Sequence, residues 1–213
     1  MTVGSRARGK TGPQGSAVTA DVGERVLDAA LDLFTHYGIR KTTVEDIARK
    51  SGVNRVTIYR HFTDRNGLVR AVLTREVLRG AARINEVIER LRGDDRLVEG
   101  FVTGARYTAE HPLLTRLLES EPEDFAVACT VRGSAILEIL TSVLAQQIPA
   151  ASADAASHRR QRAAAEIIAR LCISFMLNRE SDSMDFDTDD HIRETVRTQI
   201  LPMVRALTPD RTD

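Results

Sequence analysis

The sequence has few of the residues that characterise disulfide-linked or membrane-spanning proteins. Of its 213 residues, two are cysteine, none is tryptophan, and aromatic residues make up 4%. Cys129 and Cys172 are too few and too far apart for the disulfide framework of a small secreted domain. No apolar run approaches the roughly 18 residues needed to cross a bilayer, and residues 1–20 lack the apolar stretch of a signal peptide. We therefore expect a folded, cytoplasmic protein.

The chain has no net charge, because 30 basic residues balance 30 acidic residues. The balance is nevertheless uneven along the chain. Residues 1–75 hold 13 lysine and arginine residues against 7 acidic ones, whereas residues 76–213 hold 17 against 23. A local excess of positive charge attracts polyanions through its long-range field and through counterion release. The first third of the chain is therefore the part expected to contact nucleic acid.

The start of the chain predicts a basic tail followed by two helices. Residues 1–20 show no periodicity and are rich in glycine, serine and basic residues, which indicates a disordered tail. From Asp21 the apolar residues recur at three- and four-residue steps, which predicts a helix that stops at Gly38. A second, short helix is expected to begin at Thr43, in a variant capping-box pattern, and to end at Gly52.

A third helix, also short, is expected immediately after this turn, because Asn54 can cap residues 55–62. Two short helices joined by a glycine turn form the pattern of a helix-turn-helix motif. On a helical wheel, Ile58 and Phe62 fall on one side and would pack against the other two helices. The opposite side carries groups that can bind bases or phosphates, since arginine binds guanine and tyrosine or histidine can donate to phosphate. The residues predicted to contact DNA, including those at neighbouring helix starts, are Thr42, Thr43, Arg55, Val56, Thr57, Tyr59, Arg60, His61 and Arg65.

Beyond residue 66 the pattern is helical throughout, with breaks at glycine and proline positions. Gly67 is expected to weaken the start of a long helix by about 1 kcal/mol relative to alanine. The last two helices are expected at about 155–179 and 188–207, and Pro202 should bend the second or shorten its regular part. The fold class predicted is all-α, with a helix-turn-helix domain followed by a larger helical bundle. The predicted domains are residues 1–20, 21–66 and 67–213.

The N-terminal pattern has the residues of a known family, in order and at family spacing. These are Ala29-Ala30-Leu31-Asp32-Leu33-Phe34, Tyr37-Gly38, Thr42-Thr43-Val44-Glu45-Asp46-Ile47-Ala48, Gly52-Val53, Tyr59-Arg60-His61-Phe62 and Leu68. The stretch from about Val22 to Leu73 thus resembles the TetR/AcrR family of bacterial transcriptional regulators. One departure is Thr63 to Leu68, which replaces the usual Lys-Glu-x-Leu pattern.

The resemblance implies a three-helix DNA-binding domain, a helical regulatory domain and a homodimer formed by the last two helices. It also implies DNA contacts from Arg55, Val56, Thr57, Tyr59, His61 and Arg65.

The second half of the chain contains groups that could line a ligand pocket or a dimer interface. Large, adaptable side chains between helices can form a pocket, and those predicted to contact a small molecule are Phe101, Tyr107, His111, Leu114, Phe125, Cys129, Phe175 and Met176. The apolar residues of the last two helices are too numerous for one buried stripe, which predicts a second copy as partner. The predicted interface residues are Ile168, Phe175, Ile192, Val196, Ile200 and Met203.

No pattern in the sequence indicates a metal, a cofactor or a catalytic site. Asp185, Asp187 and Asp189 begin like a calcium loop, but its sixth position is Asp190 and its twelfth is Val196, where an EF-hand has glycine and glutamate. No nucleophile motif or phosphate-binding glycine loop is present.

The sequence predicts a regulator that binds double-stranded operator DNA, most simply a repressor released by a small-molecule effector, with no membrane partner. The alternatives are an effector-independent DNA-binding dimer and, as a third class, a helical-bundle enzyme.

Overall fold

The chain folds into a succession of helices, seen in a computed structural model that describes residues 14–130, 134–148, 152–178 and 186–208. The helices are α1 (Gln14–Tyr37), α2 (Val44–Ser51), α3 (Arg55–Phe62), α4 (Arg65–Ile88), α5 (Asp94–Glu110), α6 (Pro112–Ser120), α7 (Pro122–Cys129), α8 (Ser134–Ala145), α9 (Ala155–Leu177), α10 (Asp189–Thr195) and α11 (Leu201–Leu207). A π-helical turn, Val196–Ile200, joins α10 to α11. The predicted all-α fold class is confirmed.

Helix α1 begins earlier than the apolar pattern predicts. The predicted tail, residues 1–20, overlaps the first seven residues of α1, which starts at Gln14; residues 1–13 lie outside the described residues. Once a helix is nucleated, each further residue adds one hydrogen bond at little cost. A helix can therefore extend beyond its last core contact, and the tail boundary at residue 20 was wrong.

The ends of the short helices are where local chemistry predicts them. Thr43 caps α2 in a capping box with Asp46, each side chain accepting the other's backbone N–H. The side-chain oxygen Oδ1 of Asn54 accepts the Thr57 N–H of α3 at 2.9 Å. Gly38 and Gly52 have φ angles of 85° and 68°, a region that glycine enters without steric cost. These caps and turns confirm the helix-turn-helix geometry.

Gly67 is required by the tight turn between α3 and α4, which helix propensity alone does not show. Thr63 has a φ of 63°, and Asp64 caps α4 by accepting the Gly67 N–H at 2.5 Å. This tight turn brings the Phe62 carbonyl oxygen to 2.1 Å from the point where a Cβ on Gly67 would lie. Alanine at this position would therefore clash with the backbone. The expectation that alanine would give a more stable helix start than Gly67 was wrong.

Two apolar cores follow one another along the molecule. The first contains buried residues of α1 to α4, among them Phe34, Ile58 and Leu68, and continues into Leu113 of α6 and Ile173 of α9. The second lies between α5, α8, α9 and the C-terminal helices. The predicted domains divide between residues 66 and 67. The helix-turn-helix nevertheless shares the first core with the regulatory helices.

Most of the apolar residues assigned to a dimer interface are buried inside the single chain. Ile168, Ile192, Val196 and Ile200 are between 0% and 4% exposed and belong to the second core. A side chain that is already covered gains no burial from a second copy, so these four assignments were wrong as direct contacts. Phe175 and Met203 are half-buried and stay predictions.

Pro202 changes the local helix geometry as predicted. Leu201 N–H bonds to the carbonyl of Val196, five residues earlier, in place of the usual four. Proline has no N–H, and its ring clashes with the carbonyl four residues before it, here that of Thr198. The π-helical turn relieves this conflict and lets the helical path continue into α11.

Candidate nucleic-acid interface

Helix α3 presents a polar face to solvent and an apolar face to the core. Ile58 is buried and Phe62 packs partly against the first core. On the other side, Val56 is 79% exposed and Tyr59 is 38% exposed, and Arg55 and Arg60 are also exposed. Thr57 and His61, at the edges of this face, are half-buried. The outward residues at the start of α3 could therefore enter a DNA groove without disturbing the core.

The exposed side chain of Arg55 makes two weak contacts. Its guanidinium pairs with the exposed Glu45 carboxylate of α2 and lies 6.0 Å from the centre of the Tyr59 ring. An exposed ion pair of this kind contributes only about 0–1 kcal/mol. The guanidinium can therefore exchange Glu45 for a base edge or a phosphate at little cost.

The two threonines before α2 have different environments. The exposed Thr43 side chain caps the helix, and its hydroxyl and backbone N–H hold the pKa of the Asp46 carboxyl below its usual range. Thr42, in contrast, is 3% exposed, and its hydroxyl donates to the Gly38 carbonyl at 2.8 Å. Thr42 shapes the turn and cannot reach a phosphate, so its assignment as a DNA contact was wrong.

Arg65 makes contacts that the sequence did not reveal. Its guanidinium donates to the carbonyl of Ile39 and, at 3.3 Å, to that of Thr42. The side chain is half-buried, and both of these hydrogen bonds come from Nη2, which is directed at the turn between α1 and α2. Its predicted phosphate contact stays a prediction, and bracing this turn is the role its geometry gives it.

The turn between α1 and α2 is also bound by a residue far away in the sequence. The carboxylate of Glu121, which is buried between α6 and α7, accepts the N–H groups of Ile39 and Arg40 at 3.1 Å each. Glu121 is absent from the predicted site residues, and no local pattern could have indicated it, because the partners are 81 and 82 residues apart. Its position beside Pro122 is the only cue the sequence offers, and that cue predicts a helix break.

The residues proposed for ligand binding do not converge on one site. Phe125 and Cys129 are buried in the first core and Phe101 in the second, while Leu114 is also buried in the first core. The ring of Phe175 lies 4.9 Å from that of Phe186.

Tyr107 and His111 belong to a polar cluster around a buried carboxylate. The Tyr107 hydroxyl donates to the Glu76 carbonyl at 2.9 Å, and His111 Nε2 lies 3.2 Å from the Glu76 carboxylate. Burial raises the pKa of the Glu76 carboxyl, but the His111 hydrogen bond and the neighbouring Arg79 and Arg75 outweigh burial and lower it. This cluster joins α4 to the junction of α5 and α6.

A surface cleft of about 570 Å³ lies where α6 and α7 approach the end of α9. Its apolar walls are Leu118, Pro122, Ala126, Met176 and Leu177, and its polar groups are Glu123 and Asn178. Met176 is the one predicted ligand residue that lines it. The cleft directly adjoins the junction that contains Glu121.

The described residues offer little for a metal site, a reactive thiol or a membrane span. Within the part of the chain that the structure describes, no group of three or more histidine, cysteine or carboxylate side chains could share a metal ion. Asp185, from the rejected calcium pattern, lies outside that part. Burial raises the pKa of the Cys129 thiol to about 12, which disfavours the reactive thiolate at neutral pH. Among the described residues, no helix combines the length and apolarity that a membrane crossing requires.

Comparison with curated proteins gives matches to the N-terminal half. Residues 26–72 match the family model described as bacterial regulatory proteins, tetR family. An uncharacterised HTH-type transcriptional regulator of Mycobacterium bovis is 36% identical over 104 residues, which make up 48% of this chain and 52% of that protein. The chain thus spans about half the length of the first curated relatives it matches.

Comparison with solved structures extends the likeness to the whole fold. The TetR family repressor AlkX from Dietzia sp. strain DQ12-45-1b, implicated in biodegradation of n-alkanes, is 26% identical with a TM-score of 0.66, over 86% of this chain and 98% of that one. The repressor QsdR of R. erythropolis, also from the TetR family, shares the fold at 18% identity and a TM-score of 0.61, over 92% and 98%. The matched N-terminal domain and this shared all-helical fold support a regulator of the tetR family of bacterial regulatory proteins.

Proposed function

We propose that this protein regulates transcription by binding operator DNA as a homodimer, acting as a repressor that a small molecule releases. The observation that carries the DNA-binding part is the solvent-exposed face of α3. Arg55, Val56, Tyr59 and Arg60 stand outward at and beyond its N-terminal end. That end is the part of a recognition helix that contacts base edges.

Selection from random duplex DNA tests this proposal directly. The full chain should enrich an inverted repeat whose half-sites lie about one helical turn apart, because a two-fold dimer presents two recognition helices. The selected duplex should bind at least about a thousandfold more tightly than random DNA. Affinity for both should fall with salt as counterions are released. Equal affinity for selected and random duplexes would contradict sequence-specific binding.

The ligand-responsive part of the proposal is supported by the cleft between α6, α7 and α9. Its walls are mainly apolar, with Glu123 and Asn178 as polar groups, so we expect a mainly apolar compound with one polar end. Such a compound should raise the melting temperature of the free protein and weaken operator binding, because the two equilibria are linked.

A thermal-shift screen followed by operator titration measures both effects. Medium-chain alcohols, amides and carboxylic acids are suitable first probes for a cleft of this chemistry. A compound that stabilises the protein without changing operator affinity would favour the alternative function, a DNA-binding dimer without an effector.

A further inference from the structure

The Glu121 carboxylate is an unusual connection between the two halves of the molecule. It is 6% exposed and lies at the break between α6 and α7, where it accepts two backbone N–H groups from the turn between α1 and α2. A buried carboxylate without partners would be very costly. Hydrogen bonds from uncharged donors to a charged acceptor are also stronger than neutral ones. Glu121 and this turn are therefore expected to stay together while the carboxylate is buried.

The same turn is held from its other side by α4. Arg65 binds the carbonyls of Ile39 and Thr42, while Glu121 binds the N–H groups of Ile39 and Arg40. The approach is so close that a Cβ on Gly38 would lie 2.3 Å from Glu121 Oε1. The backbone of the turn is thus bound on both its donor and its acceptor side.

This turn leads directly into the helix-turn-helix. Residue 43 is the N-cap of α2, and only the turn at Gly52 and Val53, with the cap Asn54, separates α2 from α3. A shift of the turn would therefore move the first helix of the motif and with it the recognition helix. The bonds to the turn therefore help to fix the position of α3 relative to the regulatory helices, beside the first core that the two parts share.

The cleft lies on the other side of the same junction. Pro122 and Glu123, the two residues that follow Glu121, form part of its wall, together with Ala126 one turn further along α7. A compound in the cleft would press on the segment that carries Glu121. Among the residues of the wall, Pro122 and Glu123 are the ones next to Glu121 in the chain.

We propose that Glu121 is the positioning residue through which the regulatory helices hold the helix-turn-helix, and that a compound in the cleft weakens DNA binding by displacing it. This inference rests on the proposed function, and it adds the route from the cleft to the recognition helix. It requires that a two-state element, here the junction with its bonded turn, responds to both sites.

The first test replaces Glu121 with glutamine, which keeps the size of the side chain but leaves one of the two N–H groups facing an amide NH₂. Hydrogen exchange in the free protein should become at least about tenfold faster at the Ile39 and Arg40 amides. Operator affinity should fall by roughly three- to thirtyfold, because DNA must then order a looser motif. Glu119→Gln, an exposed carboxylate two residues away on α6, is the matched control and should change neither.

The second test fills the cleft without any ligand. Ala126→Phe places a bulky side chain against the cleft wall and should weaken operator binding in the wild-type background. In the Glu121→Gln background the same substitution should add little, because the connection is already broken, so the two effects are non-additive. Melting temperatures of all four proteins identify any variant that fails to fold, and Ala126→Leu then replaces the phenylalanine.

The outcomes separate this inference from the function on which it rests. If the wild type binds no DNA selectively, the proposed function fails, and the exchange rates of Ile39 and Arg40 still test the connection. If the wild type binds its operator and Glu121→Gln binds it equally well or more tightly, the positioning role is overturned. Equal effects of Ala126→Phe in both backgrounds would overturn the link between cleft and turn.

Discussion

Alanine in place of Arg55 is expected to weaken operator binding by about 1–3 kcal/mol and to relax the base preference at one position of each half-site. Arg55 is the first residue of α3, where a recognition helix goes deepest into the major groove. Its guanidinium can bind two acceptors of a guanine at once. Its present partner is the exposed Glu45 carboxylate, so little is lost when it turns to DNA.

Two matched variants separate base reading from general attraction to DNA. Tyr59→Phe removes a hydroxyl that can donate to phosphate, and should weaken binding to operator and random duplexes alike. Glu45→Gln removes the carboxylate that pairs with Arg55, and should leave operator binding unchanged or stronger. Titrations at fixed salt measure all three variants on both duplexes. If Arg55→Ala binds both duplexes as the wild type does, α3 is not the reading element.

The helix-turn-helix could be predicted because its determinants are local. Capping by Thr43 and Asn54 involves residues three positions apart, and the turn at Gly52 needs only a positive φ. Rules of this range can be applied to a sequence without knowing the fold. The same holds for Pro202, whose clash is with a carbonyl four residues earlier, so that a bend or a shorter regular helix could be predicted.

The contacts that the sequence did not reveal join residues that are distant in the chain or depend on tight packing. Glu121 meets the turn at Ile39 across 82 residues, and Arg65 reaches the same turn across 26. Helix propensity makes Gly67 a weak helix start. The sequence does not show that an unusual backbone angle at Thr63 places the Phe62 carbonyl where a side chain on residue 67 would lie. Apolar periodicity indicates that a side chain is buried, but not whether its own chain or a second copy covers it.

A glutamate at Ile167 is expected to turn a wild-type dimer into a monomer. Ile167 lies on α9, which buries Ala164, Ala165 and Ile168 against the protein's own second core. On the opposite side of α9, Ile167 is 41% exposed. Exposed small residues flank it at Ala163, one turn before, and at Ser174, two turns after.

That face is suited to a second copy of the same helix. A two-fold axis brings the same surface of both subunits together, so an apolar side chain between small residues can pack against its symmetry mate. Glutamate would place two like charges at the centre of this contact. Because Ile167 is already partly in solvent, the substitution should leave the single chain folded. Val196→Glu, in contrast, would bury a charge in the second core.

Sedimentation velocity at micromolar concentration, together with melting temperatures, measures this prediction. Ile167→Glu should sediment as a folded monomer and bind the inverted repeat about a hundredfold or more weakly, because the second half-site contact is no longer linked to the first. Val87→Glu on α4 is the matched control, since Val87 is 39% exposed, and it should stay dimeric. A wild-type protein that is a folded monomer throughout the range would contradict the dimer, and a dimeric Ile167→Glu would place the contact elsewhere on the molecule.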